Sequence, residues 1–127
     1  MKSPRQQLYD EVFSSISMLG YRVYDLLPMS EVPYPFIVLK HSLTDYRSTQ
    51  KLNRDMIVTL NVDTWHLAED RGLHDKTMFQ IEQLLIDFQL SDTYALKVKR
   101  INVTEVTDRT TNDELLHGSI EVTYQIN

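Results

Sequence analysis

The chain has no cysteine and only three glycines among its 127 residues. The first absence excludes disulfides, thiolate metal sites and cysteine nucleophiles. With only Gly20, Gly72 and Gly118 available, there is no Gly-x-Ser-x-Gly elbow for a serine nucleophile. The same shortage removes Rossmann and P-loop phosphate cradles. No apolar run approaches the roughly 20 residues that would span a bilayer as a helix. The first residues, Met-Lys-Ser-Pro-Arg-Gln-Gln, have no apolar run after their basic positions. A secretory signal is therefore not expected, and a protein made and used, or assembled, inside a cell is. Asn102-Val103-Thr104 matches a glycosylation sequon, which an unsecreted chain does not present to that machinery. The net charge of −5 argues against a general nucleic-acid binder, because phosphate contacts need an excess of Lys and Arg.

What is present is the mix of a soluble globular chain, with 42% hydrophobic and 24% charged residues. The length suits a single domain, 1–127, able to bury one core. No internal repeat, linker or low-complexity segment interrupts it.

Residues 33–65 are the most informative stretch. An apolar strand, Tyr34-Pro35-Phe36-Ile37-Val38-Leu39, leads into a polar arm over 41–55 that has no core of its own. A second strand over 56–65 then alternates strictly, with Met56, Val58, Leu60 and Val62 on one face and Ile57, Thr59, Asn61 and Asp63 on the other. Two residues suffice to close a hairpin, and connections beyond roughly a dozen are usually functional or disordered. The arm is thus expected to touch something else. It carries Asp45, Tyr46, Arg47, Lys51, Arg54 and Asp55, and Tyr46 has no evident core to join.

The flanking elements follow from spacing and caps. Ser3 is a natural N-cap, Pro4 fits the first helical position, and Gln6 completes a weak capping box. Leu8, Val12, Ile16 and Leu19 then recur at helical spacing, with Tyr9 and Phe13 beside them, and Gly20 stands where a left-handed residue ends the helix. A short strand is expected within 21–25. Prolines 28, 33 and 35 keep the next stretch extended. A second helix is predicted over 73–88, with Met78, Ile81, Leu84, Leu85 and Phe88 as its apolar stripe and Lys76, Gln80, Gln83 and Asp87 wet. Strands over 94–107 and 115–126 complete the chain. Leu116, Gly118, Ile120, Val122, Tyr124 and Ile126 share a face of the last. The phase slip between Leu96 and Val98 and the odd-numbered Ile101 and Val103 predicts a bulge near Lys99 and Arg100. The order α-β-β-β-α-β-β, with strands joined as hairpins, gives an α+β fold, an antiparallel or mixed β-sheet packed with two helices.

Reaction chemistry is scarce. His66 and His74 flank Glu69 and Asp70, which admits a small metal-dependent hydrolase built on His66, Glu69 and His74. No HExxH spacing supports it, and the two histidines are expected as solvated loop residues. The pairs Glu69-Asp70 and Asp113-Glu114 sit in polar loops. An enzyme is not expected, nor a cofactor. Lys97, Lys99 and Arg100 form a basic cluster with two readings: Lys97 and Lys99 on one strand face meeting phosphate or an acidic partner surface, or, favoured, a polar face that discourages edge pairing. Trp65 has two readings: an interface anchor, or a lid over the edge of the core.

The order of these features resembles the tail-completion proteins of long-tailed phages of Gram-positive bacteria, also described as tail terminators or head–tail joining proteins. The residues that carry the resemblance are Leu19-Gly20-Tyr21-Arg22-Val23-Tyr24-Asp25, Leu27-Pro28, the strand Tyr34 to Leu39, Lys51 in the arm, and Trp65 closing the hairpin. Met78 to Leu85 on the second helix, a late Asp108, and His117-Gly118-Ser119-Ile120 complete it. It covers roughly residues 7–126.

The resemblance implies a virion structural protein at the head-proximal end of the tail, assembled in the host cytoplasm. There it forms a ring of identical subunits, commonly a hexamer, on the finished tail tube. Its partners are then itself, the tail tube protein and a head-completion or connector protein, with no membrane and no specific nucleic acid, though DNA passes through the ring. A related head-completion component is the rival within the same pathway. No catalytic residue carries over. The assembly interface is expected at Asp45, Tyr46, Arg47, Lys51, Arg54 and Trp65, with Asp108 and Arg109 in the polar 108–114 loop on another ring surface. The arm is expected to order on assembly.

Overall fold

A computed structural model describes residues 2–48, 54–91 and 94–127. Two helices and five strands follow in the order α1 (Pro4–Met18), β1 (Val23–Tyr24), β2 (Phe36–Ser48), β3 (Arg54–Leu67), α2 (Arg71–Ile86), β4 (Leu96–Asp108) and β5 (Leu115–Ile126). The strands make one mixed sheet in the order β1-β2-β3-β5-β4, in which β1 pairs parallel to β2 and every other pair is antiparallel. This is the α+β fold that the patterning implies.

Local chemistry sets the element ends. The Ser3 Oγ accepts from the Gln6 backbone N–H at 3.1 Å, satisfying one of the donors that a helix start leaves free. Gly20 ends α1 at φ 102°, a conformation that costs a residue with a Cβ. Both helices cover one face of the sheet. Leu8, Val12 and Ile16 of α1 and Met78, Ile81 and Leu85 of α2 bury against Ile37 and Leu39 of β2, Val58, Leu60 and Val62 of β3, and Ile120, Val122 and Tyr124 of β5. α1 lies over β1 and β2, and α2 over β3 and β5, so β4 stands at the edge with no helix centred on it. The expected bulge occurs, with a register shift between Val98 and Arg100.

The structure departs from the expected boundaries in physically instructive ways. Leu19 caps α1 and is exposed, so the apolar stripe ends at Ile16. The stripe of α2 includes the polar His74 and Thr77, which are fully buried, while Leu84 and Phe88 are half-buried. The larger correction concerns the arm. Most of 41–55 is not a coreless excursion but ladder. A second bulge between His41 and Leu43 lets β2 pair with β3 out to Arg47↔Asp55 and Ser48↔Arg54. Extra strand length, absorbed by one bulge, explains the polar run better than a loop does.

Candidate assembly surfaces

The hairpin outreaches its sheet. β5 stops pairing with β3 at Met56↔Ile126, so the rungs Arg47↔Asp55 and Ser48↔Arg54 extend past the rest of the sheet. Lys51 lies outside the described residues, as do the side chains of Arg47 and Arg54. Asp45 is exposed, and its Oδ1 accepts from the Tyr46 N–H at 2.9 Å. Tyr46 is also exposed, with its hydroxyl 3.4 Å from the Arg5 Nη1 of α1. The arm is thus tethered near its base.

Trp65 lies on the face away from the helices and is not a lid over the main core. Register accounts for its neighbours. Phe36 is directly opposite Trp65 across β2 and β3, and His117 is opposite it across β3 and β5. Cross-strand partners on one face come close enough to stack. Tyr34 and Phe36 are 5.7 Å apart, Phe36 and Trp65 5.1 Å, and Trp65 and His117 4.4 Å, with the last two pairs within 16° of parallel. The result is a ladder of four rings, from Tyr34 just before β2 across β2, β3 and β5. Beside it, residues of the 25–33 connection and the 108–114 loop enclose a cleft of about 400 Å³, lined by Leu27, Val32, Trp65 and His117 and by the carboxylates of Glu31 and Asp108.

The ladder ends on a charge pair. The Asp63 carboxylate is 4% exposed, with the Lys40 Nζ 2.8 Å from its Oδ2 and the His117 Nε2 3.2 Å from its Oδ1. Burial pushes this carboxyl up, but the hydrogen bond and charge of Lys40, with Ser119 and His117 adding to them, hold it below the usual carboxylate range. The alternation of β3 places Asp63 on the outer face correctly, yet gives no sign that it is buried. The opposition of Phe36, Trp65 and His117 follows from the register of β2, β3 and β5.

Asp108 and Arg109 serve the loop between β4 and β5. The Asp108 Oδ1 accepts from the Thr110 N–H at 2.8 Å and hydroxyl at 2.6 Å, and these bonds hold its carboxyl below its ordinary range. Arg109 Nε stands 3.5 Å from Glu114 Oε1 on the surface. The structure therefore separates the seven candidates it describes into the hairpin (Asp45, Tyr46, Arg47, Arg54), the outer face (Trp65) and the end of β4 with the loop after it (Asp108, Arg109).

The two central histidines are not solvated loop residues. His66 ends β3 and His74 opens α2, and they are 1% and 0% exposed. Their Nδ1 atoms are 3.1 Å apart, and His66 Nε2 is 3.1 Å from Thr77 Oγ1. The ring roles follow from the choice of tautomer: with the Thr77 hydroxyl donating to His66 Nε2, His66 Nδ1–H donates to His74 Nδ1. This tautomer is the one that directs His74 Nε2–H toward the Glu105 Oε2, 3.4 Å away. His74 Nε2 makes no hydrogen bond. Glu69 is exposed, and no group of three His, Asp or Glu among the described residues is arranged to hold a metal ion. The strand-to-helix junction turns both rings inward, which spacing alone does not reveal.

No known protein family matches the chain by sequence, and no curated protein does. Solved structures do match the fold. One, a protein carrying no functional description, superposes with a TM-score of 0.57 at 13% identity, over 97% of this chain and 89% of its own. Another is a chain of the virion of a native gene transfer agent particle, with a TM-score of 0.53 at 14% identity, over 94% of this chain and 90% of that one. At such identities the likeness is one of fold.

Proposed function

We propose that this chain is a virion structural protein that forms a ring on the finished tail tube and joins the tail to the head. One observation carries the reading. The fold is shared, nearly end to end, with a chain that belongs to a virion. The order of sequence features adds the tail-terminating role by resemblance. Surface character favours assembly over a free-standing life: Leu26, Leu27 and Met29 are all exposed in one connection, beside the aromatic ladder and its cleft. Exposed apolar groups gathered in one place mark contact surfaces.

In this reading the hairpin, with Arg47, Lys51 and Arg54, contacts an adjacent subunit, and the 108–114 loop and ladder form a second surface for tube or connector. The acidic balance of the chain lets DNA pass through the ring without being gripped. Electron microscopy of particles lacking the protein tests the role. Over-long tubes or tails unattached to heads are the expected result. Tailless heads that leak DNA transfer the role to head completion, and intact particles reject it.

A further inference from the structure

The flank of α2 that faces β4 is unlike the wet face of the same helix. Asp75, Phe79, Glu82 and Ile86 follow one another at helical spacing, and Phe79 and Ile86 are exposed. Across from them, the helix side of β4 carries Val103 and Glu105, opposite Ile120 and Gly118 of β5, and both remain exposed because α2 is seated over β3 and β5. Helix flank and edge strand thus bound a trough with an apolar floor and three carboxylates. Burial, then Asp75, then Glu105 raise the Glu82 carboxyl above its ordinary range, so these charges sense one another. Among the described residues neither Asp75 nor Glu82 forms an ion pair, and Glu105 has only His74. The fully buried His74 Nε2, without a hydrogen bond, is aimed at Glu105 from beneath. Among the described residues, no Lys or Arg forms an ion pair with the carboxylates of the trough.

The same chain supplies cations. The last rungs of the hairpin, Arg47↔Asp55 and Ser48↔Arg54, carry two arginines against one carboxylate beyond the end of the sheet, and lie across β3 and β5 from β4. A basic projection on one side and an acidic trough on the other cannot meet within one copy. They are matched between copies, in the head-to-tail sense that closes rings. We propose that the trough between α2 and β4 receives the hairpin end of a second copy, with the carboxylates of Glu82 and Glu105 matched to the charges of Arg47 and Arg54. The inference deepens the ring reading by naming the receiving surface and rests on it for the symmetry alone. Glu105, held between a guanidinium and the His74 Nε2–H, then gives that buried nitrogen its partner.

The absence of cysteine makes the test clean. Ser48→Cys and Val103→Cys chains are purified separately, mixed and mildly oxidised. The mixture should cross-link about tenfold more than either chain alone, because the proposed contact brings position 48 of one copy beside position 103 of the next and apposes neither position with itself, while complementary charge steers the encounter. Glu82→Lys with Glu105→Lys in the Val103→Cys chain should abolish the product, and Arg47→Glu with Arg54→Glu in the Ser48→Cys chain should restore it. Circular dichroism of each variant separates misfolding from lost contact. Cross-linking indifferent to these charges, or equal in the single chains, overturns the proposal. So does retention of calcium by the trough with no cross-linked product, which makes it a cation site. Charge-dependent cross-linking with normal tails from a chain carrying Glu82→Lys and Glu105→Lys alone leaves this interface standing and removes the tail role.

Discussion

His66 and His74 meet through their Nδ1 atoms, 3.1 Å apart, at the junction where β3 hands over to α2. Burial first, and the charge of His74 second, lower the His66 pKa to about 4, with Asp70 pulling the other way. The unfolded chain accepts this proton near the ordinary imidazole value of about 6.5, where the folded chain refuses it. Stability is therefore complete above about pH 6.5 and falls as pH drops toward about 4, by at most about 1.4 kcal/mol per pH unit from this group. Denaturation midpoints measured from about pH 7 down to about pH 5 should show the decline. In His66→Gln, which retains polar atoms but no titration, the slope should flatten. An unchanged slope means another group drives it.

A tight approach supports the same junction. A Cβ added at Gly118 would lie 2.6 Å from Met78 Cε and 2.7 Å from Thr64 Oγ1, where Thr64 also reaches Met78 Sδ at 3.2 Å. The methionine end can move, but the threonine is fixed on β3 by both neighbouring strands. Gly118→Ala should cost about 1–3 kcal/mol, the range for overpacking a filled core, and Gly118→Val more. Thermal melts decide it, and a neutral alanine would mean that α2 rides on the sheet more loosely than its contacts indicate.

Much of the architecture was legible because period is a one-dimensional signal. The alternation of β5 places Leu116, Gly118, Ile120, Val122, Tyr124 and Ile126 on the buried face, where they are found. The phase slip at Lys99 gave the β4 bulge. The bulge at Ser42 has no such signature, since Leu43 continues the odd-numbered phase of Ile37 and Leu39 and the residues beyond it are mostly polar, so the extended ladder reads as an arm without a core. The buried histidines were missed for a different reason. Their burial depends on how a short turn sets helix against strand, and imidazole is common in solvent and in cores alike. The trough was hidden because Asp75, Phe79, Glu82 and Ile86 form a second stripe on α2, neither the apolar face nor the wet one.

Tyr124 offers a direct measure of one buried polar bond. Its hydroxyl donates to the Leu85 carbonyl at 2.6 Å, in the last turn of α2, where carbonyls lack partners within the helix. Tyr124→Phe keeps the ring and leaves that carbonyl dry. The expected loss is about 1–3 kcal/mol. Faster amide exchange in the last turn of α2, relative to the rest of the helix, should accompany it. A uniform loss across the helix would point to packing instead.

The outer face has its own energetics, tested through Lys40 and Asp63. Lys40→Met removes the charge and donor that offset burial of a carboxylate 4% exposed, while keeping the length of the side chain. The Asp63 pKa should then rise from its lowered value, because burial is the largest influence on it and now meets only Ser119 and His117 in opposition. A lowered folded pKa contributes stability above the unfolded value near 3.9 and loses it as pH falls further, so the cost of Lys40→Met should be visible near neutrality and shrink in acid. About 1–3 kcal/mol is expected for a buried carboxylate left short of partners. Asp63→Asn in the Lys40→Met background should recover most of it, since the amide needs no counter-charge. Carboxyl carbon shifts of Asp63 followed by NMR report the titration directly. If Lys40→Met leaves both stability and the Asp63 titration unchanged, the ion pair contributes nothing, and the stacked rings of Phe36, Trp65 and His117 hold this face by themselves.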